Sequence, residues 1–134
     1  MHNTAAMKQY KQVNVQASVE NADPYTLTLM LFNGAVERLN AAKLHVQQKN
    51  IALKGESISK AISIIDGLRS SLDMKKGGEI ANNLEALYEY MQRQLLDVTV
   101  SNKPENIDEV ISLMNEIRSG WAAIPANQRN PKQG

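Results

Sequence analysis

The stretch from Ile58 to Met91 limits what this chain can fold into more than any other part of the sequence. Apolar residues recur at Ile58, Ile62, Ile65, Leu68 and Leu72, and again at Ile80, Leu84, Leu87, Met91 and Leu95. Both sets step by three or four, the repeat of one helix face. Between them lies a short polar break, Asp73-Met74-Lys75-Lys76-Gly77-Gly78. Two long helices joined by a short loop fold back antiparallel. Each carries an apolar stripe that it cannot bury alone, so the hairpin requires partner helices.

The partners are legible on either side. Asp23-Pro24 is a helix start: the aspartate can cap free backbone N–H groups, and proline suits the first helical position. A first long helix is predicted from Pro24 to about Gln48, with Phe32, Ala35, Leu39, Ala42 and Val46 on one face. Leu27, Leu29, Met30 and Leu31 make its first turns apolar nearly all round, broader than a four-helix core requires. Either an N-terminal arm or a partner is expected to cover the excess. Lys49-Asn50 is a turn with Asn50 as a cap, and the second helix is predicted from Ile51 to Leu72. Within it Gly55 costs about 1 kcal/mol relative to alanine.

Asp73 to Gly78 is predicted as the loop, and the third helix from Glu79 to about Val100. Its spacing at Ile80, Leu84, Leu87, Met91, Leu95 and Val98 is close to a heptad seam. Pro104 opens a fourth helix with Ile107, Val110, Met114, Ile117 and Trp121 on its face, and Pro125 stops it. The fold class is therefore all-α, an antiparallel four-helix bundle over residues 23–124. Residues 1–22 show no clean helical face and read as an N-terminal arm or cap, with a short helix allowed near Thr4 to Gln12. Residues 125–134 read as a disordered tail.

Composition narrows the function. At 134 residues the chain is one domain of ordinary size, and no apolar run is long enough to span a bilayer. The formal charge is +1 from 15 basic and 14 acidic groups, without the dense basic patch that nucleic-acid binding needs. There is no cysteine, hence no disulfide framework and no thiolate metal site. The first residues lack the basic start and apolar run of a secretory signal. These features read as a cytoplasmic protein that neither binds nucleic acid nor inserts in a membrane.

Catalytic chemistry finds no support. A di-iron bundle needs Glu-x-x-His pairs, but Ala42 stands three residues before His45, and His2 is the other histidine. His45 is the sole candidate for a phosphotransfer bundle. In the histidine phosphotransfer domains a lysine follows three residues after the histidine, where this chain has Gln48. Gly77-Gly78 lacks both the Gly-Lys-Ser/Thr ending and the preceding strand of a phosphate loop. The carboxylates are scattered along polar faces, and no general acid–base pair can be named. The chain reads as a non-enzyme, with no cofactor and no metal.

Several segments resemble the flagellin export chaperones of the FliS family. They are Lys60-Ala61-Ile62-Ser63-Ile64-Ile65-Asp66-Gly67-Leu68, Ser71-Leu72-Asp73, Gly77-Gly78-Glu79-Ile80-Ala81-Asn82-Asn83-Leu84 and Leu87-Tyr88-Glu89-Tyr90-Met91. Tyr10 with Val13 resembles the family's N-terminal tyrosine segment, Met30 to Ala35 its first-helix motif, and Leu113 to Trp121 its last helix. Asp23 replaces the family's usual hydroxyl residue, and Lys103 stands where an aspartate often caps the fourth helix. The resemblance implies binding of the disordered C-terminal segment of flagellin in the cytoplasm, prevention of premature polymerisation, and delivery to the flagellar type III export gate. It implies the gate component FlhA as a second partner. The assembly factor FliW accompanies the family in some bacteria.

A disordered client loses conformational entropy on binding, and a broad apolar groove offsets that loss. Client segments are expected as amphipathic helices in grooves between bundle helices. The candidates are Leu27, Met30 and Leu31 from the first helix, Ile64 and Leu68 from the second, and Tyr88, Tyr90 and Met91 from the third. Ordinary core packing is the competing reading for each. Tyr10, Val13 and Val15 are expected to cover the groove when no client is present. A chaperone of this kind should be monomeric or a weak homodimer. A self-assembling structural bundle, burying the same surface in a homodimer, is the alternative.

Overall fold

The structure is a computed structural model, and it describes residues 23–129. The N-terminal arm, including Tyr10, Val13, Val15 and the Thr4 to Gln12 segment, lies outside the described residues, as do residues 130–134. Four helices follow in order: α1 (Pro24–Gln47), α2 (Ile51–Ser70), α3 (Met74–Ser101) and α4 (Pro104–Ala122). A 3-10 turn, Ala126–Gln128, comes after them. Each helix packs on its chain neighbour, and α4 closes the ring on α1. The short connections make this an antiparallel up-down-up-down bundle.

Local chemistry sets the helix ends. Asp23 has extended backbone, and its Oδ1 accepts the Thr26 N–H at 2.7 Å ahead of Pro24. Lys49 turns the chain with φ +58°, and Asn50 Oδ1 then accepts the Leu53 N–H at 3.1 Å to open α2. Asn102, with φ +55°, ends α3 in the left-handed conformation that short polar side chains tolerate. No side chain of Lys103 caps α4, so Pro104 starts that helix without one.

The core is the set of faces read from the periodicity. Phe32, Leu39, Ile58, Ile65, Leu68, Met91, Leu95, Val98, Ile107, Val110 and Met114 are all fully buried. Small residues bring α1 and α2 close: Ala35, Ala42 and Ala61 have no exposed surface. A Cβ placed on Gly34 would lie 3.4 Å from Ile64 Cδ1. Two buried polar side chains join helices instead of lying orphaned, as a low-dielectric interior demands. Lys54 Nζ donates to the Thr99 carbonyl at 3.2 Å and to Asn102 Oδ1 at 2.6 Å, tying α2 to the end of α3. Gln92 Nε2 donates to the Ile62 carbonyl at 3.2 Å and to Asp66 Oδ1 at 2.7 Å, while its Oε1 accepts from Arg69 Nη1 at 2.7 Å. Arg69 also pairs with Glu85, its Nε 3.0 Å from the carboxylate.

The expected loop from Asp73 to Gly78 contains a short helical turn that begins at Met74, and a kink at Gly78 separates this turn from the helix that runs on from Glu79, the expected start. Asp73 Oδ1 accepts both the Lys75 and the Lys76 N–H groups, at 3.1 and 2.9 Å, and so nucleates a helical turn ahead of the glycines. The break falls on Gly78 alone, where φ is +52° and ψ −128°. A conformation so far from helical is cheap only for glycine. Beyond it Ala81, not Ile80, meets the core: Ala81 is 3% exposed and Ile80 72%. The seam expected through Ile80 therefore begins one residue late.

Candidate functional site: an apolar groove at one end of the bundle

Because the helices alternate in direction, the start of α1, the end of α2, the start of α3 and the end of α4 meet at one end of the bundle. There they surround a groove of about 400 Å³. Leu27 and Phe32 come from α1, Leu72 follows the end of α2, and Ile80, Leu84 and Tyr88 come from α3. Ile117 and Trp121 form the α4 wall, and Arg129 reaches the lining from beyond the 3-10 turn.

A clasp holds two of these walls together. The Tyr25 and Trp121 rings stack with centroids 5.9 Å apart and 13° between planes. Trp121 Nε1 donates to the Tyr25 carbonyl at 3.1 Å, and the Tyr25 hydroxyl donates to the Ala122 carbonyl at 3.3 Å. Phe32 meets Trp121 edge-on at 6.2 Å. Tyr88 lies at the groove floor, 2% exposed, and burial raises its phenol to about 12. It contributes apolar surface and stays neutral at physiological pH.

The sequence-predicted site residues do not all fall on this surface. Leu27 and Tyr88 line the groove together. Leu31 and Ile64 are half-buried between α1 and α2: Ile64 packs over Gly34, and Leu31 lies 3.8 Å from a Cβ built on Gly67. Met30 is half-buried on α1 outside the groove lining. Leu68 and Met91 are in the core, at 1% and 0% exposure. Tyr90 is on another side of α3, where its hydroxyl bonds Glu109 of α4 and its phenol is raised by that carboxylate.

The periodic reading assigned Leu72, Ile80, Leu84, Ile117 and Trp121 to the core stripes, and Arg129 to the tail. The geometry places all six on the groove. The sequence signal for them is positional: the apolar members lie toward one end of their helices or, for Leu72, just beyond it, where a bundle runs out of neighbours.

Chemically, the groove offers a concave, mostly apolar surface. Among the described residues no three His, Asp or Glu side chains gather as metal ligands. No helix among them is long and apolar enough to cross a membrane. Such a site suits an apolar helix face or peptide.

Residues 6–128 match the family described as "Flagellar protein FliS". The chain belongs to the FliS family. It is 45% identical to the flagellar secretion chaperone FliSB of Pseudomonas aeruginosa over 124 residues, covering 92% of this chain and 98% of that protein. It is also 45% identical to the flagellar secretion chaperone FliS of Salmonella typhimurium, covering 92% and 93%. The FliS of Bacillus subtilis is 29% identical over 119 residues. The span matched to the FliS family includes every helix of the bundle and every groove-lining residue except Arg129.

Proposed function

We propose that this chain is a cytoplasmic export chaperone. It binds the disordered C-terminal segment of flagellin, keeps it from polymerising prematurely and delivers it to the flagellar type III export apparatus. The observation that carries this reading is an open apolar groove, with Ile80 72% exposed at its edge, in a member of a family of flagellar secretion chaperones. A concave, mostly apolar cleft lined by partly exposed side chains is the usual form of a binding site. An amphipathic segment of flagellin lays its apolar face against Leu27 and Tyr88 in the groove. Leu31, Ile64 and Met30 extend the contact along α1 and α2. Leu68 and Met91 hold the walls from beneath, and Tyr90 offers a separate polar contact on the α3–α4 side.

Residues 1–22 join the bundle at Asp23, beside the groove residue Pro24. In this proposal Tyr10, Val13 and Val15 cover the groove until client displaces them. The export-gate component FlhA is the second partner, and FliW a further one in cells that make it. The free chaperone is a monomer or weak homodimer, and forms a discrete complex with flagellin.

The test is calorimetric titration with a peptide of the flagellin C-terminal segment, repeated with Tyr10→Ala, Leu31→Asp and Ile80→Asp. Tight one-to-one binding, weakened by Leu31→Asp and Ile80→Asp, is the expected result, and Tyr10→Ala, which loosens the cover, should strengthen it. A wild-type chain that fails to bind, or that buries the groove in a stable homodimer by light scattering, overturns the reading.

A further inference from the structure

Two charged residues stand in the lining of the apolar groove, Asp73 and Arg129. Asp73 is engaged, since one carboxylate oxygen accepts two backbone N–H groups at the start of α3. Arg129 is fixed but unspent. Its Nε donates to the Ile124 carbonyl at 2.9 Å, and its guanidinium carbon lies 4.5 Å from the centroid of the Tyr25 ring. Tyr25 in turn is stacked on Trp121. Among the described residues Arg129 has no ion pair, and Nη1 and Nη2 make no hydrogen bond.

We infer that Arg129 selects the client: the groove takes an amphipathic helix that carries an aspartate or glutamate beside its apolar stripe, and that carboxylate binds the guanidinium. The inference rests on the flagellin-binding reading and names the chemistry it requires of the bound segment. An amphipathic helix places charged residues beside its apolar face, and Arg129 is a half-buried cation in the groove lining. A guanidinium offers two parallel N–H groups to a carboxylate. Here the ring contact and the Nε bond have already fixed its plane, so little side-chain freedom is lost when the carboxylate arrives. The apolar lining lowers the local dielectric and strengthens the attraction. A lysine at this position would carry the charge without the fork.

The test uses the full chain and the flagellin C-terminal peptide, titrated by calorimetry with the wild type, Arg129→Gln and Arg129→Lys. The same titrations are repeated with peptides in which each Asp or Glu is changed to Asn or Gln. Arg129→Gln is expected to weaken binding about tenfold, the scale of one charged hydrogen-bonded pair. Arg129→Lys should recover part of the loss. One peptide position should show the same weakening, and the two changes together should weaken binding no further.

Three results would overturn the inference while leaving the flagellin reading in place. Arg129→Gln binding the peptide as tightly as the wild type is the first. A loss of equal size with every peptide is the second, because it assigns Arg129 to shaping the terminal turn. Coupling only to the peptide's terminal carboxylate, abolished by C-terminal amidation, is the third. Failure of the wild-type chain to bind any of the peptides overturns both.

Discussion

Trp121 and Tyr25 hold the two ends of the described chain against each other. Their rings stack at 5.9 Å, and the indole N–H donates to the Tyr25 carbonyl at 3.1 Å. The contact joins residues 96 apart in sequence and fixes the first turn of α1 to the last turn of α4. It also positions the platform on which Arg129 lies.

Trp121→Ala removes the stack, the hydrogen bond and a groove wall at once. Substitutions of this size in well-packed sites cost about 3 kcal/mol, and half-burial places this one toward the lower end. The expected outcome is a lower urea midpoint with an unchanged slope, together with weaker binding of the flagellin peptide. Trp121→Phe should recover most of the stability but not the hydrogen bond to Tyr25.

Lys54→Met keeps an unbranched chain but leaves Thr99 and Asn102 without their buried donor. Thr99 and Asn102 are exposed, so water can replace the lost donor and the cost is that of the hydrogen bonds themselves, about 1 kcal/mol. Loss of stability by urea unfolding, with faster amide exchange over the last turn of α3, is the expected result. This end of the bundle is far from the groove, so peptide affinity should be unchanged.

Glu85 is held below its ordinary value near 4.5, first by its hydrogen bond to Arg69 and then by the charge of Arg69. A carboxyl lowered in the folded state adds stability above its unfolded pKa, and that stability is lost as pH falls through the folded value. The difference in melting temperature between wild type and Glu85→Gln should be constant near neutrality. It should shrink as pH falls below about 4.5. A difference that grows on acidification would contradict this sign.

Two glycines should respond oppositely to alanine. Gly78 has φ +52°, and Gly78→Ala is expected to cost about 2 kcal/mol or force the kink to move. Gly55 lies inside α2, and a Cβ there meets nothing within 4 Å. Gly55→Ala should stabilise the chain by about 0.5–1 kcal/mol. Thermal unfolding of both variants checks the pair.

Ile80→Asp separates binding from stability. The side chain is 72% exposed, so the substitution should shift the melting temperature little, yet it places a charge on the rim of an apolar groove. Peptide affinity should fall at least tenfold, a loss of about 1.4 kcal/mol. Val100→Asp, 83% exposed and outside the groove lining, serves as the control.

The helices, their order and most of their buried faces were determined by the sequence. The reason is local: helical periodicity, an aspartate or asparagine at a cap, and a proline at a first position act within a few residues. The faces through Phe32 and Leu39, Ile58 and Ile65, Leu95 and Val98, and Val110 and Met114 are buried as their spacing requires. The groove was much less legible, because periodicity records which side of a helix is apolar, not where along the bundle its neighbours stop. Tertiary packing decided that Leu68 and Met91 are enclosed while Leu72, Ile80 and Trp121 line an open surface. It also decided that Arg129 folds back onto Tyr25. Each of these depends on contacts between residues distant in sequence, and no local pattern encodes such a contact.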